Sequence, residues 1–327
     1  YNVYNTKFEK YIKNQIGRKK VSKVTPDNIL DFYNSLYNAE KDALNIETIK
    51  VIDRLIKPSL QMAVDKGIIR SNPARGAIGR LKHKRSVLSN EADSSDEKAR
   101  ALEDEQLERL LEYVGDRYCY LYYYPLFYLL AWTGCRINEM LALTWYDVDF
   151  DEEIIHIRRS LSYQKVDGKR CFTLEKPKTK AGIREIPMLA NVKKILSDLK
   201  EQNDDFKTPV SHNERVSLDD LSPFVFTNRY GNLIHYGSVD RKLHEIIDRY
   251  NLQHEDPLPQ ISCHGFRHTF TCWLCENAEK STPMETIKYI QSILGHADAS
   301  VTMNIYAECR RKKRNENHEM LKQKAAL

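Results

Sequence analysis

Hydrophobic positions recur along the first 83 residues at the three- and four-residue spacing of amphipathic helices. Ile29, Leu30, Tyr33 and Leu36-Tyr37 form one such face, opened by Thr25 as an N-cap with Pro26 at the first helical position. Ile49, Ile52, Leu55, Ile56 and Leu60 to Val64 form a second, which ends at Gly67 before Ser71-Asn72-Pro73 breaks the chain. This predicts an all-helical domain over residues 1–85. Residues 86–99, with the run Ser89 to Glu97, are polar and carry no apolar period, so they read as a linker. The helical pattern resumes with Leu107, Leu110, Leu111 and Val114. The apolar stretch Tyr118 to Trp132, interrupted by Pro125, is too short to span a membrane and reads as a buried core helix.

After about Asp149 the period changes. Ile154 to Ile157, Cys171 to Leu174 and Ile183 to Ile186 look like short strands, with turns at Asp167-Gly168 and Ala181-Gly182. Helices return from about Val239 to the end. The expected architecture has two domains. An all-α domain precedes a mixed α+β domain over residues 100–308, mainly helical with a small antiparallel sheet, and residues 309–327 form a basic tail.

Charge sharpens this division. The net charge of +5 is modest, but residues 1–85 hold 18 Lys/Arg against 8 Asp/Glu while the remainder is acidic on balance. A basic block of domain size suits a polyanion, although a solvated lysine-rich surface would give the same count. The seven cysteines are an odd number without a disulfide-framework spacing, which fits reduced thiols in a cytosolic compartment. Cys272 and Cys275 form a CxxC, read as part of a buried helical face rather than as a redox or metal centre. No signal peptide is visible. The chain starts at Tyr1 rather than Met, which reads as a piece of a longer protein.

Four separated patches offer groups suited to a phosphate. In Thr133-Gly134-Cys135-Arg136, an apolar helix stops at glycine and a new one opens with an arginine, whose guanidinium can hold phosphate oxygens in pairs. Glu139 lies on the same face and can orient a neighbour, or simply pair with Arg136 at the surface. In His264-Gly265-Phe266-Arg267, a spacing of three puts imidazole and guanidinium together near a helix N-terminus, where anions are favoured; capping the helix is the plainer role. Leu294-Gly295-His296 closes a helix begun near Met284. Tyr306 follows ten residues after that histidine.

In this order and spacing the four patches resemble the tyrosine recombinase family, which includes phage and conjugative-transposon integrases. The resemblance covers residues 98–308, and the basic helical block before it resembles that family's core-binding domain. It implies a DNA breaking-rejoining fold and a site-specific recombinase in which Tyr306 attacks a phosphodiester held by Arg136, Arg267, His264 and His296. It further implies that Lys178 protonates the leaving 5′-oxygen, with Lys180 as an alternative, and that Glu139 supports the site. A free phenol, with pKa near ~10, is a weak nucleophile at neutral pH, so rate must come from stabilising charge on the phosphate.

The resemblance implies no cofactor and no metal, because exchange of one ester for another conserves the bond. It implies double-stranded DNA as partner, a homotetramer on that DNA, a tail helix docked on a neighbouring subunit, and excision or host DNA-bending factors. No membrane association is expected, and the setting would be the bacterial cytoplasm. Two other readings stay open at this point: relaxation of DNA by type IB topoisomerase chemistry, and a catalytically silent DNA-binding regulator.

Overall fold

The computed structural model describes residues 2–39, 43–85, 101–166, 169–177, 180–205, 224–228, 230–278, 282–296 and 298–325. The stretch read as a linker and the Asp167-Gly168 turn lie outside these residues. The chain divides into two units, residues 1–96 and 97–327.

In the first unit, α1 (Asn2–Lys7) runs into a π-helical stretch (Phe8–Ile12) and is followed by α2 (Pro26–Tyr37). The predicted cap forms: Thr25 Oγ1 accepts the Asn28 backbone N–H, and Asn28 Oδ1 accepts that of Thr25. Helix α3 (Ile46–Asp65) is capped by Asn45 and ends before Gly67, whose φ of +72° is left-handed. With α4 (Ala77–Arg85) these helices close a core of Ile29, Phe32, Tyr33, Ile49, Ile52 and Leu81. Tyr33 is fully buried and donates to Asp53 at 2.7 Å, so its hydroxyl is satisfied where water cannot reach it.

The second unit opens with α5 (Asp104–Gly115), α6 (Tyr124–Thr133) and the single turn α7 (Ile137–Met140). Five strands follow: β1 (Val148–Asp149), β2 (Ile154–Ile157), β3 (Ser160–Val166), β4 (Lys169–Glu175) and β5 (Arg184–Pro187). Then come α8 (Ala190–Asp205), α9 (Tyr236–Gln253), α10 (Cys263–Asn277), α11 (Pro283–Leu294) and α12 (Ala299–Ala325). β2 pairs antiparallel with both β1 and β5, while β3 and β4 form a separate ribbon. The α6–α10 contact, where Phe127 stacks on Phe266 at 5.5 Å between centroids, fixes α10, which carries Arg267, against the helix whose end leads into Arg136.

Several expectations change. The helix read from Tyr118 begins only at Tyr124, because Pro125 sets its first turn; Tyr118 is 94% exposed. Strand β3 and helix α8 were not expected. β3 buries Leu161 against the unit's core but leaves Tyr163 and Val166 exposed, so its hydrophobic pattern is weak. α8 buries only a narrow stripe, including Val192 and Leu196. The boundary placed at residue 308/309 falls inside α12, a 27-residue helix whose sequence holds neither glycine nor proline to stop it.

Candidate functional site

Two helix ends make the floor of the site. α6 stops at Gly134 (φ +62°) and α11 stops at Gly295 (φ +68°), each a left-handed residue that a side chain would strain. Space forbids a side chain as well. A Cβ on Gly134 would lie 2.5 Å from Phe270, and one on Gly295 would lie 2.6 Å from the Ala181 carbonyl oxygen.

The last carbonyls of these helices face inward without helical partners, and arginines take them. Arg267 on α10, 2% exposed, donates from Nη1 to Gly134 O at 2.8 Å and from Nη2 to Leu294 O at 2.7 Å. The negative ends of α6 and α11 thus hold one buried guanidinium. Burial first, then the charges of Arg136 and Arg184, push its pKa down to about 9, still cationic at neutral pH.

Arg136 caps α7. Its Nη1 donates to Glu139 Oε1 at 2.7 Å, its backbone N–H to Glu139 Oε2 at 3.0 Å, and its Nη2 to Gly295 O at 3.4 Å. Glu139 is 5% exposed and also accepts from Arg184 Nη2 at 2.8 Å. Burial would raise the Glu139 pKa, but the hydrogen bond and charge of Arg184, then those of Arg136, hold the carboxyl below its usual range. Arg184 itself is buried and donates from Nε to Ile293 O at 2.7 Å.

Three guanidiniums therefore gather about one carboxylate. The two histidines register the excess. The pKa of His296 is pushed down to about 3 by desolvation, then by Arg267, Arg136, His264 and Arg184. That of His264 falls through desolvation, then Arg267, Arg136 and His268, although the residue as a whole is exposed on α10. Both imidazoles are neutral at neutral pH. His296 Nδ1 lies 2.8 Å from Thr302 Oγ1, which is fully buried on the first turns of α12.

His296 opens onto two cavities. One, of about 630 Å³, is lined by His264, Arg267, His268 and α12 residues including Asn304, Glu308 and Arg311. The other, of about 670 Å³, is lined by His156, Arg158, Arg184 and Lys288. Tyr306 lies one turn beyond Thr302 on the same buried face of α12 and is 8% exposed. Its hydroxyl accepts from Arg310 Nε at 3.1 Å, and the Arg310 guanidinium sits 5.5 Å from the ring centroid.

The structure thus brings Arg136, Glu139, His264, Arg267 and His296 together. It sets Tyr306 on the adjoining helix, with its hydroxyl on Arg310 and its side chain not lining the cavity at His264. Lys178 lies outside the described residues. Lys180 opens a 3-10 turn (Lys180–Gly182), and the Ala181 carbonyl of that turn abuts Gly295, so this segment runs beside the site. No group of His, Cys, Asp and Glu among the described residues is arranged to hold a metal ion. No described helix is long and apolar enough to cross a membrane.

Sequence reading missed three residues here. Arg184 had a signal: in the strand Ile183 to Ile186 it shares parity with Ile186, the inward side, so an arginine there must be paired. Thr302 and Arg310 had none, since each depends on which face of α12 packs inward.

The fold is that of the tyrosine recombinases. The Tn1549 transposon integrase, solved in complex with transposon right-end DNA, superposes with a TM-score of 0.76 at 21% identity, covering 96% of this chain and 92% of that one. XerH site-specific recombinase bound to a palindromic difH substrate gives 0.58 at 18% identity, covering 98% and 79%. The chain belongs to the phage integrase family, whose sequence profile matches residues 100–313, and it is by class a tyrosine recombinase. It is 28% identical over 312 residues to a XerC-like tyrosine recombinase of Caldanaerobacter subterraneus subsp. tengcongensis, spanning 93% of this chain and 72% of that protein. It is 27% identical over 299 residues to the transposase of transposon Tn916 from Enterococcus faecalis, spanning 90% of this chain and 66% of that protein.

Proposed function

We propose that this chain cuts and rejoins double-stranded DNA at specific sites, integrating and excising a mobile element. One observation supports this above the rest: three guanidiniums round a single carboxylate, with two imidazoles held neutral beside them, are a cavity short of negative charge. A phosphodiester supplies that charge, and more of it accumulates on the non-bridging oxygens as a nucleophile adds.

Arg136 and Arg267 bind the scissile phosphate. Glu139 and Arg184 keep Arg136 in place. His296 Nδ1 and Thr302 Oγ1 share a hydrogen bond at 2.8 Å, and in the tautomer in which Thr302 donates, the ring proton sits on Nε2 and can be given to a phosphate oxygen. His264 takes the phenolic proton. The Tyr306 oxygen forms a bond to phosphorus as the bond to the 5′-oxygen breaks, and Lys178, or Lys180 of the same segment, protonates the departing oxygen. A 3′-phosphotyrosine and a 5′-hydroxyl result, and attack by the hydroxyl of another strand reverses the step.

For this the Tyr306 hydroxyl must leave Arg310 and line up behind the phosphorus. Assembly of a homotetramer on DNA, with α12 reaching a neighbouring subunit and with excision or host DNA-bending factors, would set that alignment. Strand exchange between two duplexes carrying the ends of the parent element tests the proposal. Joined products of mixed parentage are expected. Plasmid relaxation without any mixed product would leave only a topoisomerase activity.

A further inference from the structure

α10 and α12 share a second cluster that the phosphate chemistry does not use. Cys272 and Cys275 stand one turn apart on α10, half-buried, and Cys309, on the α12 helix packed against it, comes close enough to interact with both. His268 Nδ1 lies 3.7 Å from Cys272 Sγ. Cys309 follows Tyr306 by three residues and adjoins Arg310, which holds the phenol. Three thiols therefore join the helix of the nucleophile to the helix of His264 and Arg267.

The three thiols are coupled, and Cys309 faces the other two from the opposite helix, with His268 favouring its thiolate. The contact with Cys309, then burial, raises the pKa of Cys272 and Cys275. A thiol set against two others, with an imidazole beside them, is the arrangement of a reactive cysteine with resolving partners.

We propose that Cys309 is a peroxide-sensitive site that forms a disulfide with Cys272 or Cys275, fastening the nucleophile helix to α10. The Cys309 thiolate attacks a hydroperoxide; an S–O bond forms, the O–O bond breaks, and the expelled oxygen leaves as water or alcohol after taking a proton. A thiol of the CxxC then attacks the sulfenic sulfur, the S–S bond forms, and the second oxygen leaves as water. Two thiols are oxidised and one peroxide is reduced. The crosslink lies within one turn of Tyr306, whose hydroxyl must leave Arg310 to reach a phosphate, so the oxidised enzyme does not cleave. This consequence rests on the function proposed above.

The test treats the full chain with hydrogen peroxide and has two independent readouts. Non-reducing peptide mapping is expected to find Cys309 linked to Cys272 or Cys275, with the exposed Cys119 unlinked. Cleavage of a nicked suicide duplex is expected to be lost on oxidation and restored by dithiothreitol, and Cys309→Ser should keep its cleavage in peroxide. The C272S/C275S double variant should behave likewise. A map without a Cys309 disulfide overturns the proposal, as does a disulfide-bearing protein that cleaves like the reduced one. A zinc ion retained by the reduced chain in native mass spectrometry, blocking oxidation, also overturns it. If the reduced chain never cleaves, the function fails while the peptide map still judges the thiol site.

Discussion

Replacing Glu139 with glutamine keeps the side chain's size but removes the carboxylate set among Arg136, Arg184 and Arg267. The pair with Arg184 dominates the cost, because both side chains are about 95% removed from water (exposures 4% and 5%) and meet at 2.8 Å. Deleting one member of such a pair strands a buried charge and costs ~3–5 kcal/mol. The bond to Arg136 adds little, since that guanidinium is 41% exposed and screened by water. For a unit of this size each kcal/mol moves the melting point by about 2–4 °C, so a drop of roughly 6–20 °C is expected. Thermal and denaturant unfolding would measure it in Glu139→Gln, Arg184→Met and the double variant. Once one partner is gone the other has nothing left to lose, so the double variant should be more stable than the summed losses by more than about 1 kcal/mol. If Glu139→Gln unfolds within about 1 kcal/mol of the parent, or the two losses simply add, the carboxylate is not what holds these guanidiniums.

Other consequences can be read from the same site. Gly295→Ala should lose ~1–2 kcal/mol from left-handed strain alone, plus the cost of moving the Ala181 carbonyl, and should cleave DNA poorly because Arg184 is displaced; parent-like unfolding and cleavage would remove the argument. His296 binds its proton more weakly folded than unfolded. Its contribution to stability is therefore complete above about pH 6.5 and lost as pH falls toward about 3, and His296→Gln should flatten that acid slope in denaturant unfolding. Orthovanadate in the site should move the His296 titration upward in NMR, since an added anion offsets the arginines; an unmoved titration would place the anion elsewhere.

Much of this was legible in the chain because the site is built from helix ends. Thr133-Gly134 and Leu294-Gly295 announce where α6 and α11 stop, and a stopped helix beside an arginine or histidine is a local pattern. The helical face of residues 29–36 and its Thr25 cap are local too, and both appear as read. What could not be read depends on packing between distant segments. Arg184 meets Glu139 only because β5 lies along the end of α11, and Arg310 meets Tyr306 only because α12 runs on past the nucleophile. The CxxC looked like an ordinary buried helical face until α12 laid Cys309 across it. The edge-like β3 and the narrow stripe of α8 carry patterns too weak to separate from loop.

The most direct measurement is covalent. A duplex nicked just beyond the scissile phosphate lets the freed strand diffuse away, so an attacking tyrosine stays attached. Protease digestion and mass spectrometry of the trapped complex should place the nucleotide on the peptide carrying Tyr306, and Tyr306→Phe, folded as the parent, should yield no adduct. An adduct on another residue, or one formed by the phenylalanine variant, would contradict the account.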